Sequence, residues 1–226
     1  MLSEFTQTLL LTFELATLTT VLLLVLGVPL AYWLAYSRFR LRPLVEALVS
    51  LPLVLPPTVI GFYLLLAFSP ESGVGRFLTG TLNLSLNFTF GGILIGSLVY
   101  SLPFMVQPLQ AGFQNLPASL REAAYTLGKS PATTLWRVLL PNLRPALLSG
   151  AVLTFAHTVG EFGVVLMIGG NIPGQTRVAS IAIYDAVESL DYARANRYAL
   201  LLVAVAFVGL LLLSWFTKRF SERHVL

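Results

Sequence analysis

Five apolar runs, at about residues 8–36, 44–68, 91–113, 146–168 and 198–217, constrain this chain more than anything else in it. Each is long enough to cross a hydrocarbon core, which takes roughly 20 helical residues. The fold class they predict is all-α: a polytopic membrane helical bundle of about five transmembrane helices. Charged residues make up only 11% of the chain and its mean hydropathy is +0.82, whereas soluble domains carry about a quarter charged residues. The spans and their connections then form one transmembrane domain over residues 1–226, with no room for a soluble enzymatic domain.

Between the runs, the basic residues are lopsided. Arg38, Arg40 and Arg42 follow the first run, Arg121, Lys129, Arg137 and Arg144 the third, and Lys218, Arg219 and Arg223 the fifth, leaving Arg76, Arg177, Arg194 and Arg197 for the other side. Cytoplasmic loops carry the excess of Lys and Arg, so the coupling of charge to topology puts the N-terminus outside and the C-terminus and residues 117–144 inside. The first run is expected as an uncleaved span, because Glu4 and Glu14 precede or enter it without a basic n-region. At about 43 Å as a helix it exceeds the membrane core and is expected to tilt, kink near Gly27 and Pro29, or project outward. Residues 178–190 begin apolar but soon carry Asp185 and Glu188, so a short half-helix is expected there rather than a sixth full span. Alternation of Leu82, Leu84, Leu86, Phe88 and Phe90 with polar residues predicts an extended outer segment.

The stretch Glu122–Pro141 reads as a docking element. Ser119 with Glu122 has the spacing of a capping box, Gly128 sits where a helix would end on a left-handed residue, and Ser130 followed by Pro131 offers an N-cap for a second helix limited by Pro141. Leu120, Ala123, Ala124 and Leu127 share one stripe, and Ala132, Leu135, Trp136 and Leu139 another. Two short amphipathic helices with so little bulk need a partner surface.

Glu122, Ala123, Ala124, Gly128, Val138, Leu139, Leu140 and Pro141, at these spacings, resemble the cytoplasmic E-A-A loop of ABC importer permeases; Val138 departs from the usual isoleucine. The resemblance implies the type I importer permease fold and coupling helices that insert into a separate ATP-hydrolysing subunit. It also implies a homodimer engaging two such subunits, an extracytoplasmic substrate-binding protein docking near residues 69–90 and 169–197, and a prokaryotic cytoplasmic membrane. Trp136 would be the large apolar anchor. A second set, Gly160–Gly163 and Gly170–Arg177 with Ser50–Thr58, resembles the molybdate permeases of the oxyanion branch. Sulfate and thiosulfate permeases share part of that pattern, and tungstate stays an alternative to molybdate.

An ionisable group in a membrane helix is a functional hypothesis by default. His157 and Glu161 are expected as a polar pair four residues apart on one helical face, either at the permeation path or gate together with Gly160, Phe162 and Gly163, or tying the helix to a neighbour. The structural pair is favoured, since a bare carboxylate repels an anion. Asn171 and Arg177 would lie at the outer mouth, where Arg177 either attracts an oxyanion or, as surface arginines do by default, sits in solvent. His157 and His224 are too few and too far apart for a histidine metal site, and the absence of cysteine removes thiolate ligands and nucleophiles. No P-loop is present to bind ATP, no dense basic block points to nucleic acid, and no catalytic constellation or cofactor is expected. Rivals from other classes are an ATP-independent secondary transporter or channel, and a membrane scaffold.

Overall fold

The computed structural model describes residues 3–221. Arg223 and His224 lie outside the described residues, as do the side chains of Lys218 and Arg219. Every regular element among the described residues is helical. Three helices are long and apolar enough to cross a membrane, and the count reaches five when two bent helix pairs are each taken as one crossing.

Helix α1, Glu4–Tyr36, is one unbroken 33-residue helix capped by Ser3 and running through Pro29. Its buried stripe, with Thr8, Thr12, Leu15, Ala16, Thr19, Leu23, Gly27, Ala31 and Leu34, recurs every three or four residues, while Leu10, Val21, Val25 and Leu26 are exposed. Small and hydroxyl-bearing residues face protein together with Leu15, Leu23 and Leu34, while further bulky aliphatics face outward, as expected where lipid replaces water. Thr12 turns inward, donates to the Thr8 carbonyl at 2.6 Å and accepts from the Ala179 amide at 2.8 Å.

The second apolar run is not one straight span. Helix α2, Arg42–Ser50, passes through a 3-10 turn at Leu51–Leu53 and breaks before helix α3, Pro57–Ala67, with a bend of 110°. Pro52, Pro56 and Pro57 remove backbone donors, and a residue preceding proline is pushed out of helical geometry, so hydropathy continues where the helix does not. Helix α4, Gly73–Thr81, follows, capped by Ser72, whose hydroxyl accepts from the Gly75 amide at 2.8 Å. Hydropathy did not reveal it. The predicted extended segment is irregular and contains no strand, because Asn83 and Phe88 take positive φ and break the two-residue period.

Helix α5, Phe90–Asn115, packs most extensively on α1 and then on helix α9, Arg144–Gly160, so these three form the centre of the bundle. Between α5 and α9 lie α6, Ala118–Thr126, α7, Pro131–Thr134, a π-helical turn at Leu135–Leu139, and α8, Leu140–Asn142. The fourth run also divides: α9 ends at Gly160, Glu161 is extended at φ −67° and ψ 132°, and helix α10, Gly163–Gly169, starts afresh. Helix α11, Ala179–Glu188, has 10 residues, too few to cross a membrane, and lies against α12, Tyr192–Ser221. The apolar span within α12 has no buried stretch and displays Leu200, Val203, Phe207, Leu211 and Trp215 on its surface.

Candidate functional site

In the loop joining α5 to α9, Pro117 occupies the N-cap of α6, so the predicted Ser119–Glu122 capping box does not form: Ser119 is already inside the helix. The other end follows the local chemistry. Gly128 has φ +68°, the Lys129 amide donates to the Ala124 carbonyl at 3.0 Å and the Gly128 amide to the Tyr125 carbonyl at 2.9 Å. That pair of bonds is the Schellman arrangement, with glycine at the left-handed position. Ser130 caps the next helix by accepting from the Thr133 amide at 3.2 Å, with Pro131 in the first turn. The helical path runs through Pro141 to Asn142 instead of ending before the proline. The widened turn at Leu135–Leu139 lies just ahead of Pro141, where the missing N–H leaves the ordinary ladder without a donor.

The two predicted stripes divide in three dimensions. Leu135, Leu139, Leu140 and Leu143 sink into the core with Val28, Ala31 and Leu34 of α1 and Leu109 and Phe113 of α5, and Val138 packs partly against them. Ala124 is buried, whereas Glu122, Ala123, Ala132, Gly128 and Pro141 are exposed. Facing outward with them are Tyr125 at 42%, Leu127 at 74% and Trp136 at 65% exposure. Buried leucines thus fix the loop, and an aromatic and aliphatic surface rimmed by Glu122, Lys129 and Arg137 remains open for a partner.

A second feature lies where the two broken runs meet. Gly163 lies so close to α3 that a Cβ there would stand 2.9 Å from the Pro57 ring. Beside this contact opens a cleft of about 490 Å³ lined by Pro57, Thr58, Tyr100, Ala156, His157, Gly160, Glu161, Phe162 and Gly163. Five of the predicted pathway residues therefore come together. His157 and Glu161 do not form the predicted pair, because the helix ends at Gly160 and the four-residue spacing no longer sets one face. The His157 ring stacks on Phe104 with centroids 3.9 Å apart, and its Nδ1 shares a 2.9 Å hydrogen bond with Ser101. Glu161 is buried, with the Ser97 hydroxyl as the polar neighbour of its carboxyl group. Its backbone carbonyl accepts from the Ser180 hydroxyl, which ties the break to α11. Sequence reading missed Thr58 and Tyr100 as lining residues; the proline cluster before Thr58 was the available signal.

Asn171 and Arg177 lie apart from this cleft. Thr176, fully buried, folds their loop by donating to the Gly169 carbonyl at 2.7 Å and accepting from the Ile172 amide at 3.2 Å. The Arg177 guanidinium donates to Asn171 Oδ1 and to Glu4 and lies 4.0 Å from Asp185. Asp185 in turn accepts from Asn171 Nδ2 at 3.2 Å and from Arg194, also at 3.2 Å, and Arg194 reaches Asp191 at 3.8 Å. The Arg177 side chain is 15% exposed. It is a clamp between helices, not the solvated charge expected at a loop, and Glu4 and Asp185 are the residues the sequence reading left out of the site.

Residues 27–225 match the family of binding-protein-dependent transport system inner membrane components, and the chain belongs to that family of ABC transporter permeases: a transport component seated in the inner membrane. Among individual relatives, the molybdenum transport system permease protein ModB of Azotobacter vinelandii is 51% identical over 212 residues, 93% of each chain. A probable sulfate transport system permease protein, cysT, of Nephroselmis olivacea is 37% identical over 191 residues, 84% of this chain and 67% of its own. The fold matches a chain in the crystal structure of a bacterial ABC transporter involved in the import of the acidic polysaccharide alginate, with a TM-score of 0.77 at 18% identity over 97% of this chain and 80% of the other.

Proposed function

We propose that this chain is the membrane subunit of an ATP-driven molybdate importer, a single permease domain over residues 1–226 that forms the translocation pathway as a homodimer. The observation that carries the reading is the open surface of Tyr125, Leu127 and Trp136 on a loop locked into the core by leucines. Such a surface suits insertion into an ATPase subunit, and one loop per chain calls for two chains to engage two ATPases. The choice of molybdate rests on the relative that is 51% identical and named for molybdenum transport. The excess of Lys and Arg puts this loop and the C-terminus in the cytoplasm and the Glu4 end outside.

In this mechanism a loaded binding protein docks on the outer segments near residues 69–90 and 169–197. ATP-driven closure draws the two loops together and moves α5 and α9, between which the loop is strung. The cleft at Glu161 then forms part of the path, with Thr58, Tyr100 and His157 offering weak polar contacts; weak contacts favour release, and irregular backbone at membrane depth is tolerated where it lines a cavity. Hydrolysis returns the pathway to the inward-open state, two states biased by differential binding.

The test is uptake of labelled molybdate into liposomes holding this chain and its ATPase, supplied with loaded binding protein and challenged with excess sulfate or tungstate. Uptake that needs ATP and resists sulfate supports the reading. Loss to sulfate moves the assignment to the sulfate branch, which the 37% identical sulfate relative makes the second reading. Preferential uptake of tungstate corrects the anion, and uptake without ATP overturns the mechanism.

A further inference from the structure

Helix α6 is attached to the bundle differently from the rest of the loop. Its Arg121 guanidinium stands 4.2 Å from the centroid of the Tyr36 ring, and one turn later the Tyr125 hydroxyl lies 3.4 Å from that of Tyr32. Arg121 and Tyr125, four residues apart, share one face of α6. Both tyrosines belong to the last two turns of α1, and they close on α5: the Tyr36 hydroxyl donates to the Phe113 carbonyl at 2.7 Å. The Phe113 ring meets Tyr32 and Tyr36 edge-on, with centroids 5.5 and 6.0 Å apart. Tyr36 thus pins the joint between the two most extensively packed helices, and Arg121 sits on the pin.

The second half of the loop buries leucines in the core, a contact without direction that resists separation but specifies little about angle. A guanidinium over a ring face and a hydroxyl pair are directional, and a tilt of α6 loads them at once. We infer that Arg121, Tyr125, Tyr32 and Tyr36 form a latch that transmits movement of α6 to the α1–α5 joint, with Arg121 as its positioning residue. The inference rests on the reading of this loop as the ATPase-docking surface. Arg121 is not part of the exposed surface formed by Tyr125, Leu127 and Trp136, so removing it leaves the docking residues themselves in place.

The experiment uses the complete assembly in liposomes and reads molybdate taken up per ATP hydrolysed, alongside co-purification of the ATPase. With Arg121→Ala, hydrolysis and co-purification stay near wild type while uptake per ATP falls by about tenfold, the scale of a partly desolvated cation–ring contact. Arg121→Lys restores part of the ratio, because an ammonium still binds the ring face. Tyr36→Phe, which keeps the ring and loses only the hydroxyl to Phe113, falls between them. An unchanged ratio in Arg121→Ala overturns the latch, and so does proportional loss of uptake and hydrolysis that Lys does not rescue, since that is the mark of a folding or docking role. A wild-type assembly without ATP-dependent uptake removes the docking reading and the latch with it, which separates the two failures.

Discussion

The two ends of the bundle are held together by different chemistry. At the Arg177 end, α1, the loop after α10, α11 and α12 meet through a charge network of Glu4, Asn171, Arg177, Asp185, Asp191 and Arg194, laid over a small apolar cluster of Phe5, Leu9, Ala179, Ala182 and Tyr198. At the loop end, α1, α2, α5 and the elements after α6 meet through leucines, valines and a cluster of aromatic rings. Charges at a solvent boundary are weakened by salt, whereas a packed apolar core is not. Salt therefore loosens part of what holds the Arg177 end and leaves the larger leucine core at the loop end intact.

Hollowing out the leucine core has the largest expected effect. Phe113 is fully buried, and Phe113→Ala is expected to cost about 3–5 kcal/mol. Thermal unfolding of the purified chain in detergent should drop by the same amount in low and high salt; a drop that varies with salt would contradict the account of this end. Next in size is Trp136→Ala, which should leave thermal stability unchanged and weaken ATPase binding by about 2 kcal/mol, roughly thirtyfold, as truncation of an exposed aromatic anchor does. Titration of the ATPase onto the reconstituted chain measures it, and unaltered affinity would remove Trp136 from the interface.

At the opposite end the effects shrink. Arg177→Gln removes a charged donor to Glu4 and Asn171 and is expected to cost about 1–3 kcal/mol. Faster amide hydrogen exchange should follow in α11 and the first turns of α1 but not at Phe113; uniform acceleration would mean the two ends are not independent. Smallest is Glu4→Gln, about 0.5–1 kcal/mol, because the Glu4 side chain is 58% exposed and its ion pair is screened. Raising salt should erase the difference between Glu4→Gln and wild type.

Much of the loop end was legible because its signals are local. Gly128, Ser130 and Pro131 act within four residues of themselves, and the structure uses each as the sequence implies. Ser119 misled because Pro117, with its fixed φ, reached the cap position first. The spans were legible as apolar length, but the breaks at residues 54–56 and 161–162 were not, since prolines and an isolated glutamate interrupt helix geometry without interrupting hydropathy. The Arg177 network was hidden for another reason: Glu4 lies 173 residues away from its partner, and no local pattern announces such a pairing.

The contact between Gly163 and Pro57 also bears on how the protein is made. Helix α3 has 11 residues, about 16 Å, or half of a hydrocarbon core, and its wall is α10. That wall leaves the ribosome about a hundred residues after α3, which at typical synthesis rates is a delay of roughly 5–20 s. During that interval the proline bend has α5 beside it but lacks its larger wall, α10. The cleft at Glu161, walled by Pro57 and Thr58 on one side and by residues 160–163 on the other, is therefore incomplete until the fourth run has been made.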